Sequence, residues 1–119
     1  MKKLIVLLLM VVAFSSQTFS QNEKCLSISN DIIKDVKGKI ISQYTSLDQN
    51  VYTLKVEVSS SMDVDKIKMA CDSTQAKVSI DWKLNYDKNW EKLLMIGNQP
   101  LAITYYPGDK IIYFEFPKK

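Results

Sequence analysis

Ala76-Lys77-Val78-Ser79-Ile80-Asp81-Trp82-Lys83-Leu84-Asn85-Tyr86 alternates apolar and polar side chains without a break. A period of two belongs to a β-strand with one dry and one wet side. The stretch therefore predicts a strand from Ala76 to Tyr86 in an antiparallel sheet covered on one face, since all-parallel sheets are buried on both. A one-sided strand needs neighbours, and the flanking segments supply them.

Downstream, Leu101–Tyr106 and Ile111–Phe116 flank Pro107-Gly108-Asp109-Lys110. Proline beside glycine favours a tight turn, which predicts a β-hairpin. One face of its second strand carries Ile112, Phe114 and Phe116; the other carries Ile111, Tyr113 and Glu115. Pro100 stands where that hairpin's first strand begins, a position that tolerates proline. The segment from Asp87 to Ile96 admits two readings. Asp87 caps a short helix with Trp90, Leu93 and Leu94 inward and Gly97 at its end, or Leu93–Ile96 is a strand turning at Gly97-Asn98. The helix is the favoured one.

Upstream, Val51–Val58 alternates, with Tyr52, Leu54, Val56 and Val58 on one face and Thr53, Lys55 and Glu57 on the other. Asp63 caps a short helix that sets Val64, Ile67 and Cys71 on one side. Between Ser29 and Leu47 the apolar residues Ile33, Val36, Ile40, Tyr44 and Leu47 fall at steps of three and four. That spacing predicts one long helix with Ser29 or Asn30 as its cap and Gly38 weakening its middle.

Together these readings give an α+β domain: an N-terminal helix packed on an antiparallel sheet of about four strands, with short helices in the connections. The order resembles the general layout of cystatin-like and related helix-on-curved-sheet folds. The likeness is architectural, rests on no motif, and implies no function.

The chain opens Met1-Lys2-Lys3, followed by an apolar run from Leu4 to Phe14. The run is about half the roughly 20 residues a spanning helix needs. The small polar stretch behind it ends Thr18-Phe19-Ser20, which suits cleavage between Ser20 and Gln21. Residues 1–20 are thus expected to be a signal peptide and residues 21–119 a single small domain. No membrane span is expected in the mature chain. The expected location is secreted or periplasmic, in a bacterial source, since no Asn-x-Ser/Thr site occurs after the leader.

Both cysteines, Cys25 and Cys71, lie in the mature part. An exported chain with an even pair predicts one disulfide between them. Closing so long a loop would contribute about 4 kcal/mol in the chain-entropy model.

The formal net charge is +3, and falls to +1 once Lys2 and Lys3 leave with the signal. So small a charge gives no field for nucleic acid, and every basic residue is lysine, the poorer bidentate reader of phosphate. Histidine is absent, which removes the commonest general base and metal ligand. No cofactor or metal site is expected, and no catalytic residue stands out.

Two features remain. Carboxylates such as Asp81 and Glu115 lie among aromatic residues, a combination that a glycosidic site uses. Each also has an ordinary role on a wet strand face. Tyr106, Ile111 and Tyr113 fall on the hairpin face opposite Phe114 and Phe116, where they form an apolar binding patch. The expected function is an exported small non-catalytic binding protein whose partner is a protein or a cell-envelope component. The alternatives are a small carboxylate-dependent envelope hydrolase and an assembly component that pairs through an edge strand.

Overall fold

The computed structural model describes residues 23–117 apart from 47 and 49. The expected signal peptide lies outside the described residues. Helix α1 includes residues 23–35. It is followed by strands β1 (Lys39–Ser46) and β2 (Val51–Glu57), helix α2 (Val64–Asp72), and strands β3 (Val78–Leu84), β4 (Trp90–Ile96), β5 (Gln99–Tyr106) and β6 (Ile111–Pro117). The strands form one antiparallel sheet in the order β1-β2-β6-β5-β4-β3.

The α+β expectation of a long helix over four strands is corrected: the described residues are mostly β, with two helices and six strands. Two segments account for the difference. The first is 29–47. The helix begins earlier and stops at residue 35, where Lys37 turns into the left-handed region at φ 53°. The Gly38 N–H then donates to the Ile33 carbonyl at 2.8 Å, and the Lys37 N–H to the Lys34 carbonyl at 3.1 Å. These bonds close a Schellman-type end. The helix's inward stripe is Cys25, Ile32, Ile33 and Val36. Ser29 is no cap: its hydroxyl is buried inside the helix and donates to the Cys25 carbonyl at 2.8 Å. Ile40 and Tyr44 belong to β1, whose register with β2 slips at Ile41. The slip puts Ile40 on the core face, opposite Val56, and Tyr44 on the outer face, opposite Thr53, so the helical spacing of these residues marks no common face.

The second segment is 90–96, which is strand rather than helix. Lys92, Leu94 and Ile96 point into the core while Leu93 and Met95 point out. A strand apolar on both faces places large residues at Trp90, Leu93 and Leu94, which imitates a helical stripe. Gly97, at φ 63°, makes the turn into β5.

The remaining elements follow local chemistry. Asp63 caps α2, its carboxylate accepting from the Lys66 N–H at 2.9 Å. The β5–β6 hairpin pairs Tyr106 with Ile111 across the 107–110 turn.

Cross-strand partners share a face, so the register sorts the side chains. On one face a row runs Ile40, Val56, Ile112, Tyr105, Trp90, Leu84 across all six strands. Both helices pack on this face: Ile32, Val36, Ile67 and Cys71 join Leu54, Phe114, Leu101 and Leu94 in a single buried cluster.

Cys25 and Cys71 both belong to that cluster, but as free thiols. The predicted disulfide is therefore corrected. Cys25 sits within α1, so the helix fixes the direction of its side chain. Each sulfur fills core volume as a small apolar group.

Helix α2 is tied to the sheet by charge. Lys92 lies on the core face with its side chain 4 % exposed, and its ammonium meets the Asp72 carboxylate at 2.7 Å. The Trp82 indole N–H donates to the same carboxylate at 3.2 Å. Lys68 lies 3.6 Å from the Trp90 ring centroid. Asp72→Asn leaves a buried ammonium without its anion and is expected to cost about 2 kcal/mol, less than a fully buried pair because Asp72 is half in water. Lys92→Met removes the charge instead and is expected to cost under about 1 kcal/mol. Equal losses in urea melts of the two variants would contradict this asymmetry.

Candidate functional site

The other face of the sheet is the candidate site. No described helix packs on it. Its central row reads Tyr44, Thr53, Glu115, Ala102, Leu93, Ile80 from β1 to β3. The next row reads Ser42, Lys55, Tyr113, Thr104, Glu91, Lys83. Apolar side chains gather at two places on either side of the polar residues.

The first place is the hairpin end. Tyr106 pairs with Ile111, and Tyr113 with Thr104, so Tyr106, Ile111 and Tyr113 share the outer face as the alternation required. The two tyrosine rings meet edge to face, with centroids 5.4 Å apart. Lys55 brings its ammonium to 5.9 Å from the Tyr113 centroid. All three residues are half-buried, which leaves a contact surface held in place by its own neighbours. Burial is the first cause that raises the Tyr106 phenol above its ordinary value; the nearby Tyr113 and Glu115 add to it. Its hydroxyl is thus a neutral hydrogen-bonding group at physiological pH.

The second place was not foreseen. Val78 faces Met95 and Ile80 faces Leu93, so these four side chains stand together on the outer face. Val78 is 56 % exposed and Ile80 43 %. The unbroken alternation from Ala76 to Tyr86 predicted that all its apolar members would be buried, and this is corrected. Between Ile80 and Lys83 the register slips: Asp81 and Trp82 together stand opposite Lys92. The bulge moves the alternation from one face to the other. Val78 and Ile80 face outward. Leu84 lies opposite Trp90 on the helix side, and Trp82 packs against the core there. Tyr86, beyond the strand, is fully exposed. A bulge leaves no mark in the apolar pattern, which is why the sequence hid this patch.

Between the two places lies a shallow groove of about 260 Å³ whose lining includes Ile80, Lys83, Glu91, Leu93 and Thr104. On the helix side a groove of about 430 Å³ runs between α1 and the end of α2, past Asp31, Asp35, Ser73 and Thr74. Neither brings a nucleophile to a base. Asp81 and Glu115 sit on β3 and β6, three strand positions apart in the sheet. At the usual strand spacing that is about 14 Å, too far for two carboxylates to flank one glycosidic bond. Glu91 is occupied by the Asn85 amide, which donates to it at 2.6 Å. Among the described residues no group of three or more acidic or cysteine side chains is placed to hold a metal ion. Nor is any helix long and apolar enough to cross a membrane.

The outer face can therefore bind by contact: apolar side chains at two places, and a polar strip with both charge signs between them. No protein-family model, no curated protein and no solved structure matches this chain.

Proposed function

We propose that this chain is an exported, non-catalytic binding protein that holds a protein or cell-envelope partner on the outer face of its sheet. The observation that carries the proposal is the two-part apolar surface of Tyr106, Ile111 and Tyr113 with Val78, Ile80 and Leu93, opposite the face that both helices cover. Apolar side chains rimmed by polar ones, on a rigid sheet, suit protein recognition. Export rests on the leader sequence alone, because the free thiols remove the disulfide from the argument.

One experiment addresses both parts. The full chain is expressed in a bacterial host, recovered from outside the cytoplasm, and its N-terminus read. The expected first residue is Gln21; a chain retaining Met1 in the cytosol contradicts export. The recovered protein and its Tyr106→Ser/Tyr113→Ser variant then serve as baits for envelope extracts. A partner held by this face should lose at least about ten-fold in affinity for the variant, as interface tyrosines at a hot spot do. Undiminished binding of the same purified partner to a folded variant would remove the hairpin end from the site.

A further inference from the structure

Strand β3 ends the sheet, paired with β4 on one side and with no described strand on the other. Six of its seven residues are exposed. An edge of this kind invites another strand, and proteins usually blunt it with lysines, a bulge or a covering loop. β3 has two of these devices: the 81–82 bulge, and lysines, with Lys83 in the strand and Lys77 just before it. The bulge begins only after Ile80, however, and leaves the stretch before it in regular register with β4.

We infer that β3 pairs antiparallel with the β3 strand of a second copy of this chain, with Ser79 opposite Ser79. The argument is complementarity. In that register Lys77 stands opposite the second copy's Asp81, and Val78 opposite the second copy's Ile80. Two-fold symmetry repeats each pair, as an isologous contact must. The faces agree as well. Val78 and Ile80 both point outward, opposite Met95 and Leu93. Ser79, opposite Leu94, points to the helix side; Lys77, just before the strand, and Asp81, the first residue of the bulge, lie two positions from it on either side. Lys77, which repels a foreign edge, therefore accepts this one.

The opposite edge offers no such match. β1 reads Lys39-Ile40-Ile41-Ser42-Gln43-Tyr44-Thr45-Ser46, which contains no acidic residue to meet a second copy's Lys39. Self-pairing at β3 closes on itself as a dimer and joins two six-stranded sheets edge to edge. It also brings the Val78, Ile80, Leu93 and Met95 patches of both copies into one apolar strip. The inference is independent of partner binding at Tyr106, Ile111 and Tyr113.

A contact of three regular strand residues, Val78–Ile80, flanked by Lys77 and Asp81, is small, so the dimer is weak and concentration-dependent. Sedimentation velocity on the mature full chain across roughly 1 µM to 1 mM, the range of weak interfaces, should show monomer passing to dimer. Lys77→Glu sets two acids opposite each other, and Asp81→Lys sets two lysines opposite each other. Each alone should weaken association at least about ten-fold. An equimolar mixture of the two single variants places acid opposite lysine at both positions and should recover the dimer. The double variant Lys77→Glu/Asp81→Lys should recover it too. Ser79→Cys provides a check that does not depend on charge. Directly opposed residues lie about 4.5–5.5 Å apart at Cα, within disulfide reach, so air oxidation should link two chains through this site. A wild type monomeric over the whole range overturns the inference. So does a dimer that survives both single substitutions, or a mixture that stays monomeric.

Discussion

Gly38→Ala is expected to destabilise the protein by about 2 kcal/mol, and Gly38→Val by about 3 kcal/mol or more. A Cβ at this position would stand 2.6 Å from Val56 Cγ1 and 3.3 Å from Ile33 Cγ2. Val56 is fully buried on β2, and Ile33 lies in the last turn of α1. The chain leaves α1 pressed against β2, and only hydrogen fits between them. The sign of the effect is diagnostic. Were 29–47 a continuous helix, replacing its central glycine by alanine would stabilise it by about 1 kcal/mol. Gly108 is the control, because an added Cβ there meets nothing within 4 Å. For a domain of about 100 residues, a loss of 2 kcal/mol lowers Tm by roughly 10 °C. A Gly38→Ala variant that melts at or above the wild type would refute the close approach of α1 to β2.

The two thiols should be almost inert in the folded protein and fully reactive in the unfolded one. Burial pushes the Cys71 thiol from 9.0 up to about 12; the neighbouring Asp72 carboxylate adds to the rise and Lys92 opposes it. Burial raises Cys25 as well. The thiolate is the reacting species, so ionisation alone slows labelling of Cys71 at pH 8 by about a thousand-fold, before any steric exclusion. In denaturant without reductant, each chain should take up two alkylating labels. Uptake of none, with one reductant-sensitive bond, would restore the disulfide and overturn the free-thiol core.

The same shift sets a pH dependence. A thiol whose folded pKa is raised keeps its proton in the native state while the unfolded chain ionises near 9.0. Below pH 9 the full stability is present. Between about pH 9 and pH 12 the unfolded state binds fewer protons, and stability falls by about 1 kcal/mol per pH unit for Cys71. The Cys71→Ala variant starts less stable but should lack this part of the alkaline slope. Parallel slopes for wild type and variant would show that Cys71 is not protected from ionising.

Much of the fold was legible because its signals are local. Strand β2 shows in a run of seven alternating residues. Asp63 and the apolar positions after it announce α2, and the cap forms as expected. Pro107-Gly108 marks the hairpin whose strands carry Phe114 and Phe116 inward. The hairpin half of the candidate site, Tyr106, Ile111 and Tyr113, was legible for the same reason: in a regular strand, alternation assigns faces without help from elsewhere. The β3–β4 half was not. Val78 and Ile80 belong to the cleanest alternation in the chain, yet they stand outside the core because one inserted residue at 81–82 turns the strand over. Leu93 and Met95 were concealed by a strand apolar on both faces, whose spacing is also that of a helix.

Amino-acid order alone was enough for three elements held together by bonds across a few residues: the capped α2, the alternating β2 and the β5–β6 turn. The packed molecule settled where α1 stops, where the strands bulge, and which way the cysteines, Val78 and Ile80 face. A left-handed Lys37 or a register slip is unfavourable in an isolated segment. It persists because the assembled sheet surrounds it with residues distant in sequence, Val56 beside Gly38 and Lys92 opposite the Asp81–Trp82 bulge. Such contacts exist only once the sheet has formed, so no pattern within the segment announces them.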